Sequence, residues 1–241
     1  MAIVVSSSLA QPSNFLQLCQ RTLIECGVTS DTANNITTVA NQSGEVARII
    51  DYVREAYTMI QNKHPYSWVW LWHETSQLLP PGGRIFSPKN DWGLKVLKWD
   101  SESFKMYITA NGVASEYFIN WWDDWRLFNQ AFNRGVIPIT QPNVIVERPD
   151  KSLQFDTYLQ VPYTLTAQYY SSAEILVEDL DVPSMPEQYF LSIVWLATMT
   201  YAKYEEAGVL FNTTANTQYA AIMSQMEQTE LPQITIGGAL C

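Results

Sequence analysis

The sequence predicts an α+β fold, namely a four-helix bundle made by helices from both ends of the chain, with an antiparallel β-sandwich or barrel-like unit inserted between them. Apolar residues recur at helical spacing near both termini, whereas the middle of the chain alternates with a period of two and contains turn sequences. The 241 residues are enough to bury a substantial core, either as one large domain or as two small ones.

The predicted boundaries follow these changes in pattern. They give a flexible arm at 1–12, a helical bundle at 13–65 and 181–231, a β-rich insert at 66–180 with a short helix near 120–130, and an extended tail at 232–241.

Two helices are predicted in the N-terminal part. Ser13 is a suitable N-cap for a helix over 14–26, and Ser43 is one for a helix over 44–63. The Thr- and Asn-rich stretch 28–42 between them has no periodicity, and loops of that length are usually functional or mobile. We therefore expect this loop to contact a neighbouring molecule.

The period changes to two after the second predicted helix. Trp68, Trp70 and Trp72 fall on alternate positions, which predicts a strand, and the Pro- and Gly-rich turn 80–83 follows it. The Asn-Gly dipeptide at 111–112 is a strong hairpin signal. These patterns predict a series of antiparallel strands.

A short helix is predicted at 120–128, because Asn120 can cap it and two Asp lie in its first turn. Strand character resumes at 144–147, 153–155 and 163–169, and alternation in the last of these predicts one buried face.

Two further helices are predicted near the C-terminus. Ser184 and Glu187 stand at capping-box spacing with Pro186 in the first turn, and Gly208 is a stop. The helix between them has about 22 residues and a broad apolar face, so we expect the other helices to pack on it. A last helix should end near Pro232.

Composition limits the partners. A net charge of −10 argues against a surface that binds DNA phosphates tightly, but an acidic wall would let DNA pass through a channel without binding to it.

Cys19 and Cys26 are too far apart on one predicted helix for a disulfide, and Cys241 is the only other thiol, which fits a reducing cytoplasm. No apolar run is long enough to span a bilayer, and 1–10 lacks the basic start of a signal peptide, so we expect no membrane association.

Catalytic signals are missing from the sequence. His64 and His73 are the only histidines, and neither lies near a cysteine or serine nucleophile. The carboxylate pairs at 123–124 and 179–181 could suit a glycosidase, but a helix terminus and a turn explain them better. We predict no catalytic residues, no metal site and no cofactor.

A carbohydrate-binding or glycan-hydrolysing β module is an alternative of another class. Its stacking rings would be Trp68, Trp70 and Trp72, although burial of these rings in a sheet core or subunit contact is the competing interpretation.

The acidic stretch Leu176–Pro183, followed by Met185–Tyr189 and an Ala- and Tyr-bearing helix, resembles the C-terminal half of the head-to-tail adaptor (neck) proteins of tailed bacteriophages. The N-terminal half resembles the same family at Phe15–Arg21, Glu25–Gly27, Gln42–Glu45 and Trp68. The resemblance extends over roughly residues 13–231, but between Trp68 and Ala110 little of the sequence apart from Trp68 follows the family pattern.

This resemblance implies a structural virion protein, assembled in the host cytoplasm, and not an enzyme. Such a subunit joins a homo-oligomeric ring, commonly of twelve, that connects the portal protein to the next tail or neck protein. Genomic DNA would pass through the lumen without sequence-specific binding. The alternative within this class is a tail tubular protein of a short-tailed phage, which is similar to these adaptors and to head-completion proteins.

We expect the contacts with other subunits or with the portal in the long loop, the 80–83 turn and the tail. The candidate residues are Val28, Thr29, Asn34, Asn35, Asn41, Gln42, Pro80, Pro81, Gly82, Gly83, Ile234, Ile236 and Leu240.

Overall fold

The computed structural model describes residues 11–29, 35–204 and 209–232, and for 209–212 it describes the backbone alone. Within these ranges the chain is α+β, with six α-helices and sheets that are mainly antiparallel. The helices are α1 (Phe15–Glu25), α2 (Gly44–Lys63), α3 (Pro88–Asp91), α4 (Trp125–Phe132), α5 (Phe190–Tyr204) and α6 (Val209–Glu230). The strands are β1 (Trp72–Leu79), β2 (Ile85–Phe86), β3 (Val96–Trp99), β4 (Lys105–Ile108), β5 (Tyr117–Phe118), β6 (Asn120–Trp122), β7 (Ile139–Thr140), β8 (Val144–Glu147), β9 (Leu153–Phe155), β10 (Tyr158–Leu159) and β11 (Tyr163–Ser171).

The chain divides into two compact units. Residues 1–70 and 173–241 form one, which we call the helical unit, and residues 71–172 form the other, which we call the β unit. The helical unit is therefore built from both ends of the sequence.

Helix α5 is the centre of the helical unit. It contacts α1, α2 and α6, and α1 also contacts α2. One face of α5 is buried, as its apolar spacing predicts, and the buried apolar side chains are Phe190, Ile193, Val194, Ala197, Tyr201 and Ala202.

Helix α5 begins later than its sequence predicts. The predicted capping box does not form, because the Ser184 hydroxyl lies 3.0 Å from the Tyr57 hydroxyl and donates to Glu174 Oε2 at 3.2 Å. Residues 187–189 form a 3₁₀ turn, and α5 starts after it at Phe190. A contact with α2, distant in the sequence, thus takes the hydroxyl that would have capped the helix.

Two segments that we predicted within the β-rich insert belong to the helical unit. Residues 66–70 return to α2, where the indole Nε1 of Trp68 donates to the Ile60 carbonyl at 3.0 Å. Residues 173–180 also contact α2, through Glu174. Its backbone N–H donates to Gln61 Oε1 at 2.8 Å, and its C=O accepts from Gln61 Nε2 at 2.9 Å. Buried polar partners on α2, which the local sequence pattern does not reveal, set these boundaries.

The β unit contains two larger sheets and a short strand pair. Strand β11 lies at the middle of the first sheet and pairs with β1 along one edge. Along its other edge it pairs first with β4 and then with β3, and all three pairings are antiparallel. Strand β5 extends this sheet beyond β4. The second sheet has the order β2-β9-β8-β6, in which only the β6–β8 pair is parallel, and β7 pairs with β10 in parallel.

Apolar side chains from both sheets meet in one core. The buried members are Leu79, Phe86, Trp99, Phe104, Met106, Ile119, Ile145, Leu153, Phe155, Leu159, Tyr163, Leu165, Ala167 and Tyr169. The four from β11 occupy alternate positions, so the period of two in its sequence correctly predicts the buried face.

Three elements differ locally from the predicted ones. Residues 69–71 form a 3₁₀ turn instead of the predicted strand, and β1 starts after it. Residues 120–122 are strand β6 and not helix, since Asp124 is the N-cap of α4 and accepts from two backbone amides. Asn111 keeps a negative φ of −95°, so the predicted tight Asn-Gly turn is replaced by a 3₁₀ turn at 112–115 between β4 and β5.

Candidate functional site

The acidic stretch at 176–183 holds the N-terminus of α1. The backbone amides of Phe15 and Leu16 donate to the carbonyls of Asp181 and Asp179 at 2.8 and 3.1 Å. These amides belong to the first turn of the helix and have no partner within it. Asn14, and not the predicted Ser13, is the N-cap and accepts from the Gln17 amide at 3.0 Å.

The two aspartates also fasten this stretch to itself and to the long loop. Asp181 Oδ2 accepts from the amides of Val177 and Glu178 at 2.6 and 2.8 Å, which closes a turn. Asp179 Oδ1 accepts from the Val39 amide at 2.7 Å. Both carboxylates therefore act as turn and clamp residues, as the sequence predicts for turn positions.

This clamped stretch presents apolar side chains to solvent. Ile175, Val177, Leu180 and Val182 are 63, 54, 78 and 52% exposed, respectively. We call these four the apolar set of the 175–182 segment. Large contiguous patches of exposed apolar side chains mark protein contact sites, and these four residues lie within a stretch of eight.

The turn at Asp181 should open in acid. Its two amide hydrogen bonds lower the pKa of Asp181 below the ordinary value of 3.8. A lowered folded-state pKa stabilises the turn above the ordinary value, and this stabilisation is lost as the pH falls through the lowered pKa. From about pH 6 to about pH 3, we expect the protection of the Val177 and Glu178 amides against hydrogen exchange to fall about two- to tenfold. In the Asp181→Asn control, protection should not change with pH over this range, and a pH-independent wild type would contradict the prediction.

The described part of the predicted contact loop is held by its own unit. Asn35 Nδ2 donates to the Gln20 carbonyl at 3.1 Å, and Gln42 Nε2 donates to the Thr38 carbonyl at 3.0 Å. Val28 is half-buried against Leu23, Ile49 and Tyr201, and Thr29 is also half-buried. Asn41 is exposed, whereas Asn34 lies outside the described residues.

Most of the predicted contact turn at 80–83 is exposed on the β unit. Pro80, Pro81 and Gly82 are exposed, and the Gly82 amide donates to the Leu159 carbonyl at 2.7 Å. Gly82 has a φ of +74°, which favours glycine. At Gly83, a Cβ would lie 2.5 Å from Cζ of Phe86, so this close approach also requires glycine. The predicted tail residues Ile234, Ile236 and Leu240 lie outside the described residues.

The sequence did not reveal a second exposed apolar loop, between α4 and β8. Val136 and Ile139 are 98 and 67% exposed. Arg84 holds the start of this loop, because its Nη2 donates to the Asn133 Oδ1 at 2.6 Å and to the Phe132 carbonyl at 3.2 Å. The apolar run Val136-Ile137-Pro138-Ile139 is the sequence signal that could have indicated it.

The residues weighed for a carbohydrate site do not form a shared stacking platform. Trp68 is fully buried, Trp70 is half-buried and stacks on it with ring centroids 5.9 Å apart, and Trp72 is 40% exposed on β1. His64 Nε2 lies 3.1 Å from Glu227 Oε1 at the end of α2, so this histidine has a structural partner.

Other chemical groups were also located. Cys19 and Cys26 are free thiols, and burial raises the pKa of Cys26 to about 12 and also raises that of Cys19. Among the described residues, no group of His, Cys, Asp and Glu could hold a metal ion. Nor does any helix in the described ranges combine the length and apolarity needed to cross a bilayer.

The negative charge is concentrated in one unit. The helical unit has five Lys and Arg against fourteen Asp and Glu, a formal charge of −9, whereas the β unit has nine against ten, a charge of −1. An acidic surface that repels DNA would therefore come from the helical unit.

Comparison with known proteins does not assign a family. No family model matches the chain, and no curated protein matches it at a significant level.

Proposed function

We propose that this chain is a structural virion protein, a head-to-tail adaptor whose copies form a ring between the portal and the tail. The observation that carries the proposal is the apolar set of the 175–182 segment. It lies on the stretch that resembles the adaptor family, on a backbone clamped by Asp179 and Asp181. A protein that works by holding neighbours needs such exposed apolar residues at fixed positions.

The finer architecture belongs to this proposal. In it, α1, α2, α5 and α6 act as one four-helix bundle, and the two sheets of the β unit act as a sandwich. The helical unit, with its charge of −9, would line the lumen and let DNA slide, since a negatively charged wall disfavours phosphate binding. The β unit would provide further contacts through the 80–83 turn and the exposed loop at Val136.

A charge placed in the apolar set tests the proposal. Leu180 is 78% exposed, so Leu180→Asp should change the free energy of unfolding by no more than about 0.5 kcal/mol. In assembly with the portal, the same change should reduce ring occupancy about tenfold or more, because a carboxylate would be buried in an apolar contact. Electron microscopy of portal complexes provides the measurement.

Val113→Asp is the matched control. Val113 is 66% exposed in the β unit, outside the candidate contacts, and its replacement adds the same charge. It should leave ring occupancy within about twofold of wild type. Equal effects of the two variants would argue against a specific contact at Leu180. Particles that lack this chain and still join heads to tails would refute the adaptor proposal itself.

A further inference from the structure

The unpaired edge of strand β1 is a candidate interaction surface that is separate from the proposed ring. Strand β1 pairs with β11 over eight consecutive residue pairs without a bulge. Across the described residues, no strand pairs with its other edge. Natural edge strands are usually short, bulged, or protected by Pro or by charged residues, especially Lys. The eight-residue β1 sequence WHETSQLL has no bulge, Pro or Lys, and its one formal charge is on Glu74.

Hydrogen bonds on β11 show which groups of β1 point to the open edge. The Gln168 carbonyl accepts from the Asp100 amide at 2.9 Å, and the Gln168 amide donates to Ser103 Oγ at 2.8 Å. Both backbone groups of Gln168 therefore point away from β1. Its partner Glu74 must in turn direct its own N–H and C=O away from β11, because opposite residues in an antiparallel pair share this orientation.

The alternation of the ladder extends this result along the strand. Trp72, Glu74, Ser76 and Leu78 all direct their N–H and C=O groups to the open edge. The same four residues have exposed side chains, so they form one accessible face as well as one accessible edge.

This geometry is self-complementary. An antiparallel partner must place outward-directed residues opposite each other, so two copies of β1 can pair only in registers centred on a residue. Centred on Thr75, the pairing uses all four outward-directed residues of each strand and makes about eight backbone hydrogen bonds. Trp72 then faces Leu78 of the other copy, and Glu74 faces Ser76, so no two carboxylates are opposed.

We propose that two copies of this chain pair through β1, antiparallel about a twofold axis at Thr75. A second copy of the chain is the partner that fits this edge. The two exposed apolar residues of β1, Trp72 and Leu78, are 40 and 63% exposed and lie at equal distances on either side of that axis. A cyclic ring has no twofold axis between neighbours, so this dimer is a state of the chain outside the proposed ring. It does not depend on the adaptor function.

Replacement of one outward amide tests the pairing in solution. By sedimentation, the wild-type chain should form a particle of twice the 27.5 kDa chain mass. Ser76→Pro removes an N–H that the chain's own sheet does not use, so the fold should persist by circular dichroism while the dimer dissociation constant rises about tenfold or more. Ser76→Ala keeps the N–H and should dimerise within about twofold of wild type.

A second measurement tests the register and does not rely on the proline variant. In a Cys241→Ser background, a mixture of Trp72→Cys and Leu78→Cys chains should form a disulfide-linked heterodimer, since paired Cα atoms lie about 5.5 Å apart. Either variant alone should not cross-link through β1, because equivalent residues of the two copies would be about 20 Å apart.

Three results would overturn the inference. The first is a chain that stays monomeric at about 100 μM. The second is a dimer whose dissociation constant does not change in Ser76→Pro. The third is the formation of open-ended oligomers in which Trp72→Cys and Leu78→Cys chains do not cross-link to each other. The last would indicate head-to-tail pairing of β1 with a different edge. Ring formation with the portal is scored separately, so failure of one proposal leaves the other measurable.

Discussion

Trp68→Ala is expected to destabilise the protein by about 3–5 kcal/mol, because it removes a large side chain that is fully buried beside the end of α2. The indole also satisfies a helix-terminal acceptor, since its Nε1 donates to the Ile60 carbonyl at 3.0 Å. Ile60 lies in the last turn of α2, where carbonyls lack partners within the helix. Urea unfolding followed by circular dichroism would measure the loss.

Two variants separate volume from hydrogen bonding. Trp68→Phe keeps most of the ring but leaves the Ile60 carbonyl unpaired, and we expect a loss of about 1–3 kcal/mol. Met59→Ala on the exposed side of α2, where Met59 is 54% exposed, should cost less than about 1 kcal/mol. A loss for Trp68→Ala no larger than that for Met59→Ala would show that the packing of Trp68 is unimportant.

Elements with strong local patterns could be predicted from the sequence. Helix α2 spans residues 44–63, as its apolar repeat predicts, and the buried positions of β11 follow its alternation. In both cases the apolar residues that set the sequence period are also the residues that are buried. Local periodicity and tertiary packing therefore favour the same element. The mixed α+β class followed from the same signals.

Contacts between distant residues could not be predicted. The Tyr57 hydroxyl accepts from the Ser184 amide at 2.9 Å and lies 3.0 Å from Glu174 Oε2, and this cluster moved the start of α5. Nothing near Ser184 in the sequence indicates a partner on α2.

The contacts predicted at the long loop and at the 80–83 turn stay predictions. Loop residues such as Asn35 bond to their own unit, and the turn at 80–83 is exposed as expected of a contact. The exposed apolar set at 175–182 could not be predicted. The sequence of this run does not show that hydrogen bonds from Asp179 and Asp181 fix the backbone so that these apolar side chains face solvent. Its acidic residues were correctly interpreted as turn residues.

The second large effect is expected at Arg84, which ties three elements of the β unit together. It is only 7% exposed, and burial lowers its pKa from the ordinary value, although arginine remains charged at neutral pH. Its Nε donates to the Phe155 carbonyl at 2.9 Å, and its Nη2 donates to Asn133 Oδ1 and the Phe132 carbonyl. Strand β2, strand β9 and the end of α4 therefore meet at one guanidinium.

Arg84→Met should destabilise the protein by about 3–5 kcal/mol. Methionine fills similar space but removes the donors to the Phe155 and Phe132 carbonyls, and each buried group left unsatisfied costs about 1–3 kcal/mol. The exposed loop that begins after Asn133 should also lose its anchor. Chemical unfolding gives the free energy, and hydrogen exchange at 133–143 reports the loop.

Arg84→Lys distinguishes the geometry of the guanidinium from its charge. Lysine keeps the charge but has a single nitrogen, which cannot reach the Phe155 carbonyl and the end of α4 from the fixed directions of the guanidinium. We therefore expect a loss of about 2–4 kcal/mol and faster exchange in the loop. If Arg84→Lys matched wild type in both measurements, charge alone would account for Arg84. If Arg84→Met did so, the buried acceptors must find water, and the guanidinium would not be what holds the loop that carries Val136 and Ile139.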